Sequence, residues 1–226
     1  MKIYKDPVAL RKYCNKFQLD KIIDVGLNEN YEFHLFEKGD FICKIDEPVY
    51  YFYFLLDGKT KNFIMSDNGK ILLIGFYEAF TNFGDIEIPN NTTYTSNVEA
   101  VTKCVLLALP VSFIKLVCLN RKSFLKYLTM ELSKKLNDSS RKSSFNILYP
   151  LKNRLASFLI EHITVPNQRV INLTSSYKEI AESLGTTYRH LSRTLNEFKN
   201  SDIIEIKDKQ IIILNEDELR NMSKDM

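Results

Sequence analysis

The sequence predicts an α+β fold in three parts: a β-roll over residues 1–110, a long helix with its hinge over 111–149, and a winged helix-turn-helix over 150–226. Three observations carry this. Between about Val25 and Leu109, short runs of β-branched and aromatic residues alternate with turn residues. From Val111 to Ile147 there is no Gly or Pro, and Leu125, Leu128, Leu132 and Leu136 recur three or four apart. Over residues 173–214, two helical patterns separated by a glycine precede two isoleucine-rich runs.

Composition sets the outer bounds. A chain of 226 residues, 45% hydrophobic and 26% charged, suits a globular protein with a substantial core. No run approaches the roughly 20 apolar residues that a membrane helix needs. The start, Met1-Lys2-Ile3-Tyr4-Lys5-Asp6, has no apolar run behind its charges, so the cytoplasm is the expected location. Cys14, Cys43, Cys104 and Cys118 form no C-x-x-C pair. They read as small buried hydrophobes, with a redox or iron–sulfur role as the alternative. The net charge of +3 is unevenly spread: residues 1–110 carry −3, residues 111–149 carry +6, and the remainder balances. A basic segment thus joins two otherwise balanced domains.

Residues 1–20 carry a short helical pattern with Val8, Leu10, Tyr13 and Phe17 apolar. Strands are expected at Phe33–Phe36, Phe41–Ile45, Tyr50–Leu56, Phe63–Met65, Ile71–Phe76 and Val101–Leu109. Asp57-Gly58 and Asp67-Asn68-Gly69 supply hairpin turns, because these residues accept positive φ cheaply. Residues 89–97 read as a polar loop. Pro110 ends the strand-rich texture. The leucine stripe at 125, 128, 132 and 136 is the expected seam between two copies of the chain. Pro150 suits the first turn of a new helix.

The segment 173–214 points to chemistry. Ser176 and Glu179 make a capping-box pattern, Ile180, Ala181 and Leu184 give the first helix an apolar face, and Gly185 supplies the turn. A second helix starts near Thr187, with Leu191, Leu195 and Phe198 facing inward. Its outward side presents Tyr188, Arg189, Ser192 and Arg193, flanked by Thr187 and His190. In a helix-turn-helix this second helix enters the DNA major groove, where such side chains reach base edges and phosphates. Ser176 and Tyr177, at the start of the first helix, join the candidate DNA-binding set. Ile203–Ile206, a Lys207-Asp208-Lys209-Gln210 turn and Ile211–Leu214 form the wing.

The run YKEIAESLGTTYRHLSRTLNEF with its isoleucine-rich hairpin resembles the Crp/Fnr family of bacterial regulators, and LKNRLASFLI at 151–160 is similar to the family's first helix in that domain. The resemblance covers nearly the whole chain. It implies a cytoplasmic homodimer on a palindromic operator, a cyclic-nucleotide-binding-like roll answering an unidentified small-molecule effector, and RNA polymerase as a further partner. Ser192 and Arg193 match the family's Ser-Arg pair, whose arginine reads guanine. Arg189 stands where the family usually has a glutamate, and it cannot accept a hydrogen bond from cytosine N4.

In cyclic-nucleotide members a Gly-Glu-Leu segment and an Arg-Ser-Ala segment hold the ligand. Here those places hold Gly84-Asp85-Ile86 and Tyr94-Thr95-Ser96, with no arginine for a phosphate. The candidate effector pocket is therefore Gly84, Asp85, Tyr94, Thr95 and Ser96. Ser139 and Ser140, on the stretch of long helix that touches the base in those members, join it. Cys14 stands alone where the iron–sulfur members cluster cysteines. No cofactor or metal is expected. Two other readings remain: a cyclic-nucleotide-binding-like interaction module without DNA binding, and a cupin-type metal enzyme. Three histidines in all, with only His34 in the roll, leave the enzyme poorly supplied with ligands.

Overall fold

The computed structural model describes residues 1–224 apart from 25, 28–29, 66–70, 164–168, 174–175 and 209. The expected Asp67-Asn68-Gly69 turn, Val25 at the start of the strand-rich region, and Lys209 of the wing lie outside the described residues. The chain divides into two compact units, Met1–Asn137 and Asp138–Met226.

The first unit opens with strand β1 (Lys2–Tyr4) and helix α1 (Pro7–Phe17). Asp6 starts α1 by accepting the amides of Val8 (2.9 Å) and Ala9 (3.0 Å), and Pro7 needs no acceptor there. Then come α2 (Leu19–Ile22), β2 (Glu32–Phe36), β3 (Phe41–Cys43), β4 (Tyr51–Asp57), β5 (Lys59–Met65), β6 (Ile71–Glu78) and β7 (Thr81–Phe83). A short α3 (Glu87–Asn90), β8 (Asn97–Ala100) and β9 (Cys104–Pro110) complete the roll. The strands pair antiparallel in two sheets, β1-β2-β9-β4-β7 and β3-β8-β5-β6.

The five-stranded sheet is buried on both faces. Tyr53 and Leu55 of β4, with Leu106 and Ala108 of β9, meet Ile42, Val98 and Ala100 of the other sheet. Phe52, Phe54 and Leu56, with Leu107 and Leu109, face Leu19, Phe113, Ile114 and Phe124 of the helices. Burial on both sides removes any need for polar alternation, so β4 is a continuous apolar run. The expected loop 89–97 is shorter than its sequence implies. It begins inside α3 and ends at β8, whose Asn97 is buried and accepts the Ile45 amide at 3.1 Å.

After β9 the chain forms α4 (Val111–Leu116), a single 3₁₀ turn at Cys118–Asn120, and α5 (Lys122–Leu148). The single helix expected over 111–147 is therefore broken. Arg121 is extended (φ −109°), and the Asn120 side chain donates to the Leu116 carbonyl at 3.0 Å, competing with continuation of the helix. The leucine stripe also divides. Leu128 is 6% exposed in the roll's core and Leu132 packs beside it, whereas Leu125 (44%) and Leu136 (69%) are open.

The second unit contains α6 (Leu151–Glu161), β10 (Val170–Asn172), α7 (Tyr177–Ser183), α8 (Tyr188–Asn200), β11 (Ile204–Lys207), β12 (Gln210–Ile213) and α9 (Glu216–Lys224). The wing hairpin gains a third strand, in the order β10-β12-β11. Leu155, Leu159, Ile180, Leu191, Phe198 and Leu219 share one core.

All four cysteines are free and buried. Burial pushes every thiol pKa up, that of Cys118 to about 12, so the reactive thiolate is scarce at neutral pH.

Two outcomes follow. Leu128→Ala should lower the unfolding free energy by about 2–5 kcal/mol, by a similar amount at every protein concentration, in urea titrations; a loss that grows with concentration would place Leu128 between copies. Iodoacetamide at pH 8 should leave the native chain unmodified by mass spectrometry and alkylate four sites once guanidinium unfolds it. Rapid native labelling of any one cysteine would contradict its burial.

Candidate nucleic-acid interface

The interface is built on α7 and α8. The Ser176 hydroxyl accepts the Glu179 amide at 3.3 Å while the Glu179 carboxylate takes the Ser176 amide at 2.7 Å, closing a complete capping box. At the other end of α7, Gly185 sits at φ +61°, a conformation that favours glycine, and the Thr186 amide returns to the Ala181 carbonyl at 2.9 Å. Thr187 then caps α8 by accepting the His190 amide at 3.2 Å.

These caps fix where α8 begins, and burial fixes which way it faces. Leu191, Thr194, Leu195 and Phe198 are inside. Tyr188 (57% exposed), Arg189, His190 and Arg193 face water, and Ser192 is half-buried. Arg193 has a 71% exposed side chain, and its only described ion pair is a 3.8 Å contact with Glu197. An exposed i,i+4 pair of this kind is weak, so its guanidinium is readily given to a stronger acceptor. Glu197 is itself engaged at 3.0 Å by Lys152 of α6. His190 Nδ1 lies 3.3 Å from the Thr186 hydroxyl.

The structure thus brings Ser176, Tyr177, Thr187, Tyr188, Arg189, His190, Ser192 and Arg193 onto α7, α8 and their caps. A hollow beside them is lined by Tyr177, Tyr188, Ser192, Leu195, Asn196 and Ile206. The Tyr177 hydroxyl is buried there without a described partner, and burial, then the neighbouring Tyr188, raises its pKa. Asn196 escaped the sequence reading, although it lies one turn beyond Ser192 on the same outward side, and Ile206 was read only as part of the wing.

The candidate effector pocket lies in part on the roll. Gly84 turns the chain at φ +93°. Asp85, 3% exposed, is ion-paired at 2.8 Å with Lys135 of α5, which also donates to the Asn82 carbonyl at 2.7 Å. The Thr95 hydroxyl and amide both donate to buried Glu87, at 2.9 and 3.3 Å. Tyr94 is buried, hydrogen-bonded to Cys43, with its hydroxyl 3.5 Å from the Tyr51 carbonyl. Ser96 is half-buried. Ser139 and Ser140 are exposed on α5 and belong to the second unit. Lys135 and Glu87 are additions that sequence spacing could not supply.

His34 is fully buried, with Nδ1 3.1 Å from the Tyr53 hydroxyl and Nε2 2.9 Å from Glu32, whose carboxyl its hydrogen bond holds below the usual range. Both ring nitrogens are therefore occupied. Among the described residues no three of His, Cys, Asp or Glu are grouped as metal ligands, and no helix is long and apolar enough to cross a membrane.

Comparison with known proteins agrees with this geometry. Residues 33–126 match the cyclic nucleotide-binding domain family and residues 153–222 the Crp-like helix-turn-helix domain family. The chain is 28% identical over 194 residues to the regulatory protein YeiL of Escherichia coli O157:H7, covering 86% of each chain. It is 27% identical to the probable transcriptional regulator flp of Lacticaseibacillus casei, covering 83% of this chain and 85% of that one. A crystal structure of a putative Crp/Fnr-family transcriptional regulator from Eubacterium rectale shares the fold at TM-score 0.73 and 18% identity, covering 95% of this chain and 97% of the other. With residues 33–126 matching the one domain family, residues 153–222 the other, and relatives named as regulators matched over 85–86% of their length, the chain belongs to the Crp/Fnr family of DNA-binding transcriptional regulators.

Proposed function

We propose that the chain acts in the cytoplasm as a homodimer that reads a palindromic operator through α8 of each copy and alters access or recruitment of RNA polymerase, with no catalytic step of its own. The observation that carries this is the division of α8. Its apolar residues are consumed by the core, while Tyr188, Arg189, His190 and Arg193 stand exposed around a capped N-terminus, the end that enters the groove in helix-turn-helix proteins. Two copies would be joined along α5. Leu125, Leu136 and Ile147 (81% exposed) recur at eleven-residue intervals and fall on one line of a helix that turns about 100° per residue. Leu128 belongs to the roll's own core and is not part of this seam.

The signal entering the roll is proposed to be something other than a cyclic nucleotide. Tyr94-Thr95-Ser96 offers no cation to a cyclic phosphate, Asp85 is already neutralised by Lys135, and Thr95 is already bound to Glu87. A buried phosphate without a cationic partner is poorly compensated. Titration calorimetry with cyclic AMP should therefore show no saturable heat at micromolar concentrations. A micromolar dissociation constant would contradict this reading of the pocket.

The DNA-reading role is tested by base preference. Arg193→Ala should cost roughly 1–3 kcal/mol on the operator, much less on random DNA, and relax preference at one base position per half-site. If Arg189 also faces a base, Arg189→Glu should change preference at a neighbouring position. If it faces a phosphate, Arg189→Ala should weaken all sequences alike and lower the salt slope by about 0.9 per head. Selection from a randomised half-site at one fixed salt concentration distinguishes these outcomes. Identical preferred sites for wild type and all variants would remove α8 from base reading.

The seam is tested separately. Leu125→Asp with Leu136→Asp should yield folded monomers by sedimentation, because carboxylates in an apolar seam are neither hydrated nor paired. A dimer that survives both substitutions would place the contact elsewhere.

A further inference from the structure

The end of α5 meets the turn of the helix-turn-helix within the second unit. Arg154 of α6 is 8% exposed, and among the described residues its guanidinium has no carboxylate partner; burial alone lowers its pKa. Its Nη1 instead donates to the Leu184 carbonyl, at the C-terminal end of α7, and to Asn146 Oδ1 of α5 at 2.8 Å. The Leu184 carbonyl is one of the groups that a helix end leaves without an intrahelical donor. Asn146 also lies flat against the turn glycine. A Cβ placed on Gly185 would come 2.7 Å from Asn146 Nδ2 and 2.9 Å from its Cγ. One side chain on the long helix thus touches both the buried arginine and the tightest point of the turn between α7 and α8.

A second observation concerns where the chain has room to bend. The expected joint is Tyr149-Pro150. The division into compact units instead falls inside α5, between Asn137 and Asp138, and every residue from Leu136 to Ser144 is exposed. Within a single copy, a helical stretch with so few packing contacts has low local stability. The last turn of α5, by contrast, is held on the side of the DNA-reading head.

We propose that Asn146, Arg154 and Gly185 form a clasp that fixes the last turn of α5 to the α7–α8 turn. The clasp makes Arg154 and Asn146 positioning residues for α8. Rotation of α5 is delivered directly to the recognition helix, the Tyr149-Pro150 joint does not bend, and the pivot lies N-terminal to Asn146. A buried guanidinium without a counter-ion is costly to keep, and its two acceptors lie on the two elements that the clasp joins. The clasp itself does not depend on what α8 reads; only its effect on operator affinity rests on the DNA-reading proposal.

The test uses the full-length chain with nitroxide labels on Leu148→Cys and Asn200→Cys, one site on either side of Tyr149-Pro150. Both positions are exposed, and the four native thiols are buried. Labelled chain diluted in excess unlabelled chain gives distances within one copy by pulsed electron–electron resonance. Expected is one narrow distance distribution in the labelled protein, the same with and without DNA. Asn146→Ala should broaden it clearly, and Arg154→Lys, which keeps the charge but ends one bond short of the position of Nη1, should broaden it too. Both should lower operator affinity about tenfold, with a smaller loss on random DNA. Circular dichroism confirms the fold, and if the arginine variant fails to fold, Asn146→Ala carries the test. Broadening without loss of operator affinity would keep the clasp and remove α8 from operator reading. A distribution already broad before substitution, or unchanged by Asn146→Ala, would overturn the proposal.

Discussion

Burial of Leu191, Thr194, Leu195 and Phe198 against the rest of the second unit sets everything that the DNA-facing surface presents. A helix turns about 100° per residue, so anchoring those four positions sends Arg189 and Arg193 to the opposite side without any further instruction. The caps at Ser176 and Thr187 and the left-handed turn at Gly185 then fix where α8 begins and how it crosses α7. The apolar half of the helix supplies the stability, which leaves the polar half free to be chosen for recognition.

The roll follows a different rule. Its five-stranded sheet is covered on one face by the second sheet and on the other by helices, so the strands carry apolar residues continuously. Helix α5 serves this sheet and more besides. Phe124 and Leu128 are spent on the roll's core, and Lys135 compensates buried Asp85, while Leu125, Leu136 and Ile147 are left open. Division of one helix between an inner and an outer duty explains why its leucines cannot be treated as a single seam.

Local signals were legible in the sequence and long-range ones were not. The capping box, the turn glycine and the inward residues of α8 are all written within a few positions of one another, and they appear as read. The apolar strands β2, β4 and β9 also announce themselves. Strands β7 and β8 do not, because the side-chain oxygens of their buried asparagines find their donors far along the chain: Asn82 Oδ1 accepts from the Tyr127 hydroxyl and Asn97 Oδ1 from the Ile45 amide. No window of neighbouring residues contains that information. The break at Arg121 carries no Gly or Pro, and α9 opens with Glu216-Asp217-Glu218, which reads as solvated charge although Leu219 is fully buried. Lys135 and Asp85 are 50 positions apart, so their pairing is visible only once the chain is folded.

The central claim is that this chain is a dimeric reader of specific DNA through α8. Genomic mapping of sites bound in living cells tests it most directly, since it presupposes no operator and no effector. The account predicts enriched sites sharing an inverted repeat, with half-site centres about one helical turn apart, near 10–10.5 base pairs or a multiple of it. Enrichment without a shared motif, or no enrichment over a strain lacking the protein, would contradict it.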